Sequence, residues 1–156
     1  MKILIVYYSR TGNTAKMAEA VAKGVKEEGV KAVVKPVGEC DVDELADSHG
    51  VILGSPTYYG TMAAPIKQFI DESVKYHGQL VGKAGGAFTS CGGPGSGNET
   101  TVMAIVQSLL VHGMVVPGSH RGDHYGPIAV GEPDAAAQER CRKHGVRIAQ
   151  LVKKLA

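Results

Sequence analysis

The sequence predicts an α/β protein in which helices cover both faces of a parallel β-sheet. Two observations support this prediction. Apolar runs of strand length alternate with helical patterns along all 156 residues, and the clearest runs, ILIVYY and GVILGS, are continuously apolar. A strand that is buried on both faces has no polar face to alternate with its apolar one. Repeated strand–helix–strand units therefore indicate right-handed crossovers and a three-layer α/β/α arrangement.

The individual elements follow from the spacing of the apolar residues. The predicted strands are Ile3–Tyr8, Ala32–Val37, Gly50–Ser55, Ala84–Ser90 and Met114–Gly118. Apolar stripes with helical spacing predict helices around Met17–Val25, Ile66–Val74, Val102–Leu110 and from Pro133 onward, with a short helix at Val42–Ala46. The pattern has no linker, so we expect a single domain over residues 1–156. Residues 119–131 are predicted to be irregular, either as a functional loop or as a poorly ordered segment.

Composition excludes several classes of partner. The net charge is +2 and the basic residues are dispersed, so nucleic acid is not an expected partner. The apolar run near the amino terminus is too short for a signal peptide or a membrane span, so no membrane partner is expected either. The three cysteines have no Cys-x-x-Cys spacing, which favours reduced thiols and a cytoplasmic location. The histidines lack the spacing of metal ligands, and we predict no metal site.

The segment after the first strand, SRTGNT, has the composition of a phosphate-binding loop. It combines hydroxyl and amide side chains with a glycine and with backbone N–H groups at the start of a helix, where the helix dipole favours an anion. A plain helix cap is the alternative, but one such residue would suffice for a cap. Walker and dinucleotide-binding glycine motifs are absent, so a terminal monophosphate is favoured. The candidate residues are Ser9, Arg10, Thr11, Gly12, Asn13 and Thr14.

Two further loops are predicted at the same edge of the sheet. The segment SPTYYGT follows the third strand, and its two tyrosines would either stack on a planar aromatic ligand or merely cover the sheet edge. The segment TSCGGPGSGNE follows the fourth strand, and its glycines would either expose backbone groups to a ligand or form a flexible connection. In open parallel sheets, ligands bind beyond the carboxyl ends of the strands. We therefore expect the three loops to form one site.

Candidates for catalysis are few. Cys91 has no basic residue nearby in the sequence, and the Cys-x5-Arg phosphatase pattern is absent, which argues against a nucleophile. His124 and Tyr125 lie in the long irregular segment and are candidates for contacting a substrate or a neighbouring subunit. Tyr59 and His124 are the side chains we name as possible general acids.

The three loops, in this order along the chain, resemble those of flavodoxins. The stretches GSPTYYGTMAAPIKQFID, KAGGAFTSCGGPGSGNETT and LLVHGMVV are similar to the tryptophan-repressor-binding-protein (WrbA-type) family of FMN-dependent NAD(P)H:quinone oxidoreductases. The resemblance covers nearly the whole chain. It implies a flavodoxin-like fold whose five-stranded parallel sheet has the order 2-1-3-4-5. This chain is shorter than members of that family, and Val111 replaces the first of two histidines that they carry before Gly-Met.

The resemblance also implies a cofactor and its site. FMN would place its phosphate on Ser9–Thr14, its ring beside Pro56–Gly60 and its pyrimidine edge along Ser90–Gly97. The implied ring contacts are Pro56, Thr57, Tyr58, Tyr59, Gly60, Ser90, Cys91, Gly92, Gly93, Gly95 and Gly97. NAD(P)H would be a transient electron donor, and copies of the chain would associate as a dimer or a tetramer.

Charge separates two hypotheses that share this flavin chemistry. A one-electron carrier keeps its reduced flavin at low potential by surrounding it with negative charge. Here residues 55–66 and 89–98 contain no Asp or Glu, and backbone N–H groups would favour negative charge on the ring, which suits two-electron transfer. We therefore predict an oxidoreductase that uses NAD(P)H to reduce a quinone or a similar small-molecule acceptor. The alternatives are an electron-transfer protein with a redox protein partner and a non-catalytic flavin-binding regulatory module.

Overall fold

A parallel sheet forms the middle layer of the molecule. The computed structural model describes all residues, 1–156. Its strands are β1 (Lys2–Tyr7), β2 (Lys31–Pro36), β3 (Gly50–Tyr58), β4 (Thr61–Met62), β5 (Ala84–Cys91) and β6 (Ile128–Val130). The order is β2-β1-β3-β5-β6 with parallel pairing throughout, and the two-residue β4 pairs antiparallel with the end of β3. The predicted fold class is confirmed. The strand order differs slightly from the predicted 2-1-3-4-5, because β6 takes the place of the predicted fifth strand and β4 is an additional strand.

Helices lie on both faces of the sheet. They are α1 (Asn13–Glu27), α2 (Ala64–Glu72), α3 (Asn98–Val111) and α4 (Ala135–Leu155), with short 3-10 turns at Val37–Glu39, Val42–Leu45 and Ser73–Tyr76. One buried cluster joins Ile3 and Ile5 of β1 to α1 and α4, and the other joins Leu4 and Val6 to α2 and α3. Successive residues of one strand thus enter opposite cores, which explains the continuously apolar run. No helix has the length and apolar character that a membrane crossing requires.

The predicted fifth strand at Met114–Gly118 is wrong. Val115 alone bridges to β5, where its N–H donates to the Lys83 carbonyl and its carbonyl accepts from the Gly85 N–H. The next donor in a parallel ladder would be residue 117, which is a proline and has no N–H. The chain therefore leaves the sheet and returns only at β6, opposite Thr89–Cys91. The segment predicted to be irregular, residues 119–131, consequently contains the edge strand.

The third strand also differs from its prediction. Residues Pro56–Tyr58, predicted as loop, continue β3, because Thr57 pairs with Met62 and Tyr58 with Thr61 across a tight turn. The turn residues Tyr59 and Gly60 both have positive φ, 48° and 80°. This is the backbone geometry of a two-residue hairpin whose twist matches that of its strands. The aromatic segment is thus a rigid hairpin that projects beyond the sheet edge.

Candidate functional site

Side-chain and backbone contacts bring the three predicted loops together at the carboxyl edge of the sheet. The Thr14 hydroxyl, in the first turn of α1, lies 2.8 Å from the Ser90 hydroxyl at the end of β5, and both side chains are buried. The Thr100 hydroxyl of α3 donates to the carbonyl of Gly60 at 2.8 Å. The end of β5 therefore contacts the segment after β1, and the start of α3 contacts the hairpin, as the sequence predicts for a shared site.

The segment 9–14 presents unpaired backbone donors. The Ser9 hydroxyl oxygen accepts hydrogen bonds from the N–H groups of Gly12, at 3.1 Å, and Ala15, at 3.2 Å. The backbone N–H groups of residues 10, 11, 13 and 14 have no acceptor within the protein. Gly12 occupies the N-cap position with φ 94°. Apart from the bond of Ser9 to the Ala15 N–H no side chain caps α1, and no acidic residue in its first turn offsets the positive end of the dipole.

This arrangement fits a phosphate group better than it fits a helix cap. A cap satisfies the free N–H groups of the first turn, whereas here Ser9 satisfies that of Ala15 and those of Asn13 and Thr14 stay available. The hydroxyl groups of Thr14 and Thr11 have different surroundings. The Thr14 hydroxyl is hydrogen-bonded to that of Ser90, whereas Thr11 is exposed beside the free N–H groups. The side chain of Arg10 is exposed and makes no hydrogen bond, so it contributes no fixed donor to the loop.

The two tyrosines of the hairpin have different surroundings. The ring of Tyr58 packs edge-on against that of Tyr8, with centroids 6.3 Å apart and planes at 83°. The side chain of Tyr59 is fully exposed at the tip of the turn. Tyr58 thus packs on Tyr8 next to the segment 9–14 and stays half-exposed, whereas Tyr59 is fully exposed. Tyr8 was predicted only as the last residue of the first strand and not as a site residue, although its position directly before Ser9 indicates that it lies close to the loop.

Buried hydroxyl groups hold the ends of β3 and β5 together. The Thr89 hydroxyl donates to the Ser55 carbonyl at 2.6 Å and lies 3.1 Å from the hydroxyl of Thr57. The Ser55 hydroxyl accepts from the N–H of Ala63 at 2.8 Å, which connects β3 to the start of α2. Hydroxyls that are satisfied in this way fix the geometry of the hairpin. The sequence pattern assigned no role to Ser55 or Thr89 and implied only a ring contact for Thr57, because the hydrogen bonds of Thr89 join strands that are distant in sequence.

The glycine-rich loop is closely packed at one point and open at another. A Cβ on Gly97 would lie 2.5 Å from the Cα of Gly60, so only glycine permits this contact between the loop and the hairpin. A Cβ on Gly95 would meet nothing within 4 Å. Gly97, and not the neighbouring Ser96 or Asn98, is the N-cap of α3. Ser96 instead donates to the Gly93 carbonyl at 2.7 Å within the loop.

Cys91 has the environment of a packing residue. Its thiol is buried and donates to the carbonyls of Gly93, at 3.4 Å, and Ala129, at 3.5 Å. Its remaining hydrogen-bond partner is the side-chain amide of Asn98, at 3.6 Å. None of these groups is a base that would activate the sulfur. The prediction that Cys91 is not a nucleophile is consistent with these contacts.

His124 lies apart from the three loops. Its Nδ1 is 2.6 Å from the carbonyl of Ser119, and its neighbour Asp123 forms an ion pair with Arg140 of α4 at 3.0 Å. Gly126, two residues after His124, packs on the backbone of Ala87, which lies in the middle of β5 and not at its end. The interruption at residue 117 sends this segment along α4, so the structure brings Tyr59 to the loop cluster but not His124.

His112 is a buried residue on the sheet face that α2 and α3 cover. Its Nε2 lies 2.7 Å from the hydroxyl of Ser73, and its ring is 6.2 Å from that of His77. Burial lowers the pKa of His112 below its ordinary value, so the ring is neutral at pH 7. It follows the last turn of α3 and takes no part in the loop cluster.

Comparisons with known proteins place this chain among relatives with two kinds of name. A family model described as "Flavodoxin domain" matches residues 4–108. A flavodoxin from Aquifex aeolicus (strain VF5) is 38% identical over 97% of this chain and 86% of its own length. An NAD(P)H dehydrogenase (quinone) from Archaeoglobus fulgidus is 32% identical over 99% of this chain and 98% of its own length. The solved structure of a flavodoxin, WrbA-like protein from Agrobacterium tumefaciens is 27% identical, covers 99% of both chains and gives a TM-score of 0.88.

Proposed function

This chain belongs to the flavodoxin family, and we propose that it is an FMN-dependent oxidoreductase that reduces a quinone or a similar small molecule with electrons from NAD(P)H. The observation that carries the proposal is the set of four unpaired backbone N–H groups around Ser9 at the start of α1. These donors face the edge from which the Tyr59–Gly60 hairpin and the glycine-rich loop also project. The relatives named NAD(P)H dehydrogenase (quinone) support the reaction class.

The residues present fit FMN at this edge. The N–H groups and hydroxyls of Ser9–Thr14 would hold its single phosphate, because they supply donors and no carboxylate. The hairpin from Pro56 to Gly60 and the loop from Ser90 to Gly97 would hold its ring. When bound, FMN supplies the redox chemistry, since it accepts hydride and passes electrons to an acceptor.

The protein itself contributes position and electrostatics. The hydroxyl network of Ser55, Thr57 and Thr89 keeps the hairpin in one geometry, and the Gly97–Gly60 contact sets its distance from the glycine-rich loop. Residues 55–66 and 89–98 place no carboxylate at the ring edge, so the local field favours a negatively charged reduced ring. This is the property that favours two-electron transfer over one-electron transfer. Tyr59 is the exposed side chain that would contact the ring or the acceptor.

A charge-reversal experiment tests the phosphate assignment. Asn13→Asp keeps the size of the side chain but places a carboxylate among the free N–H groups. We expect FMN binding to weaken about tenfold, while riboflavin, which has no phosphate, binds as it does to the unchanged protein. The isosteric control is Gln79→Glu, at an exposed position outside the three loops. Equal losses of FMN and riboflavin affinity in Asn13→Asp, or no loss of either, would contradict the assignment.

The reaction itself is tested with the purified yellow protein. We expect NADH or NADPH to bleach the flavin absorbance and benzoquinone to restore it over many turnovers. The Aquifex aeolicus relative named flavodoxin favours a second candidate, an electron carrier that serves a redox protein. That candidate is correct if the FMN-loaded protein oxidises neither nicotinamide nucleotide yet accepts electrons from a reductase. A protein that takes up no FMN would instead be a binding module of another kind.

Assembly and location are further parts of the proposal. The family resemblance implies association of copies into a dimer or a tetramer, which size-exclusion chromatography with light scattering measures directly. The reduced state of the three cysteines is consistent with a cytoplasmic location. Because the segment holding His124 lies away from the loop cluster, His124 would reach an acceptor only at a neighbouring copy of the chain.

A further inference from the structure

A polar cavity on the outer edge of the sheet is separate from the proposed flavin site. It lies between α4 and the loop 119–127 and has a volume of about 270 Å³. No hydrophobic residue lines it. Four basic side chains and one carboxylate do, namely Arg121, Arg140, Lys143, Arg147 and Asp123. An apolar ligand is therefore excluded, and the cavity has the composition of an anion site.

The positive charge of the cavity is only partly neutralised within the protein. Arg140 pairs with Asp123 at 3.0 Å and donates to the carbonyl of Ile128, which commits its guanidinium to the loop. Arg147 donates to the Ser119 hydroxyl at 3.1 Å, a neutral partner. Lys143 is 3.7 Å from Glu139, outside the cavity, and its side chain is largely exposed. Arg121, Lys143 and Arg147 thus leave an excess of positive charge at the cavity wall.

A buried histidine in the cavity wall can report on a bound anion. His144 is only 3% exposed, and neither ring nitrogen has a hydrogen-bond partner. Neither nitrogen is accessible from the cavity, and Nε2 lies against Gly86 of β5, so the ring does not bond a ligand there but responds to charge placed in the cavity. Burial, together with the charge of Arg147, lowers the pKa of His144 to about 3. An anion in the cavity would oppose the effect of Arg147 and so raise this pKa.

We propose that this cavity binds a small phosphate-type oxyanion, either free pyrophosphate or the diphosphate group of a nucleotide, through Arg121, Lys143 and Arg147. Guanidinium groups match the oxygens of such anions in bidentate geometry. A water molecule takes up about 30 Å³ of liquid, so the cavity has room for roughly nine atoms of that size, the number of non-hydrogen atoms in pyrophosphate. An acidic protein partner would instead require an open basic surface rather than a cavity. The inference does not depend on FMN binding.

Calorimetry with pyrophosphate and NMR of the histidine rings test this site in the full chain. The titration is done with and without saturating FMN, because free pyrophosphate could also occupy segment 9–14. We expect saturable binding in both cases, with the ring signals of His144 shifting and its pKa rising. The signals of His49 and His77 should stay unchanged, since neither ring lines the cavity.

Variants assign the binding to the cavity. Arg121→Met and Lys143→Met keep most of the side-chain length, and we expect each to weaken pyrophosphate binding about fivefold, as expected for exposed charge pairs. Lys154→Met removes the same charge from an exposed position near the end of α4 and should leave binding unchanged. Displacement of pyrophosphate by ADP would assign a nucleotide diphosphate, and no displacement would assign the free anion.

Four results would overturn the proposal. One is the absence of binding at millimolar pyrophosphate. Another is heat of binding without a change in the His144 signals, because the anion would then lie elsewhere. The third is an equal loss in Lys154→Met and Lys143→Met, which would mean that net charge alone attracts the anion. A shift of His144 by polyglutamate but not by pyrophosphate would also overturn it, in favour of an acidic protein partner.

Discussion

Substitution of Gly97 by alanine is the sharpest test of how the loop cluster is built. Gly97 has φ 93°, a conformation that costs an L-residue about 1–2 kcal/mol. Its added Cβ would lie 2.5 Å from the Cα of Gly60, a backbone atom that can move only with the hairpin. Overpacking of this kind adds about 1–3 kcal/mol. Together the two effects predict that Gly97→Ala lowers the free energy of unfolding by about 2–5 kcal/mol.

Gly95→Ala is the matched control for this prediction. Gly95 has φ 68° in the same loop, but a Cβ there meets nothing within 4 Å. Only the backbone strain remains, so we expect a loss of about 1 kcal/mol. Urea unfolding followed by circular dichroism measures both values, and FMN titration should show about tenfold weaker binding for Gly97→Ala alone. Equal losses of stability in the two variants would refute the reasoning, because the contact with Gly60 would then have no energetic effect.

The remaining predictions concern Thr14, His144 and the cysteines. Thr14→Val removes the buried hydrogen bond to Ser90 and should cost about 1–2 kcal/mol in urea unfolding, whereas the exposed Thr11→Val should change stability by less than about 0.5 kcal/mol; equal effects would contradict the geometry. The pKa of His144 is lowered from 6.5 to about 3 in the folded chain, so the unfolded chain binds more protons between these values. The contribution of His144 to the free energy of unfolding is therefore complete above pH 6.5 and falls by about 1.4 kcal/mol for each pH unit below it. We expect His144→Leu to remove this slope from urea unfolding measured at about pH 5–7. With a thiol reagent at pH 8, half-buried Cys40 should react first but slowly, because burial raises its pKa to about 12. Buried Cys141 should react only after the protein unfolds. Rapid reaction of all thiols in the folded protein would contradict this prediction.

Much of the fold could be predicted because each strand carries its own signal. The run from Ile3 to Val6 is apolar at every position, and the structure sends alternate residues into two different cores. The three loops could be predicted in the same way, from local composition and from the rule that parallel strands end at one edge. The failure at Met114–Gly118 also has a local cause. Pro117 interrupts the ladder, and a single proline in an apolar run is a weak signal until its ladder partner is known.

Composition and spacing along the chain determined the α/β class, the helices and the three ligand loops, because burial and backbone preference act on each residue separately. Only the tertiary structure decided which groups meet: Thr14 with Ser90, Gly97 with Gly60, and Arg147 with Ser119. It also decided that Tyr59 joins the loop cluster and His124 does not. These pairings join residues far apart in sequence, and their energy exists only after the sheet has formed. No local pattern in the sequence records them.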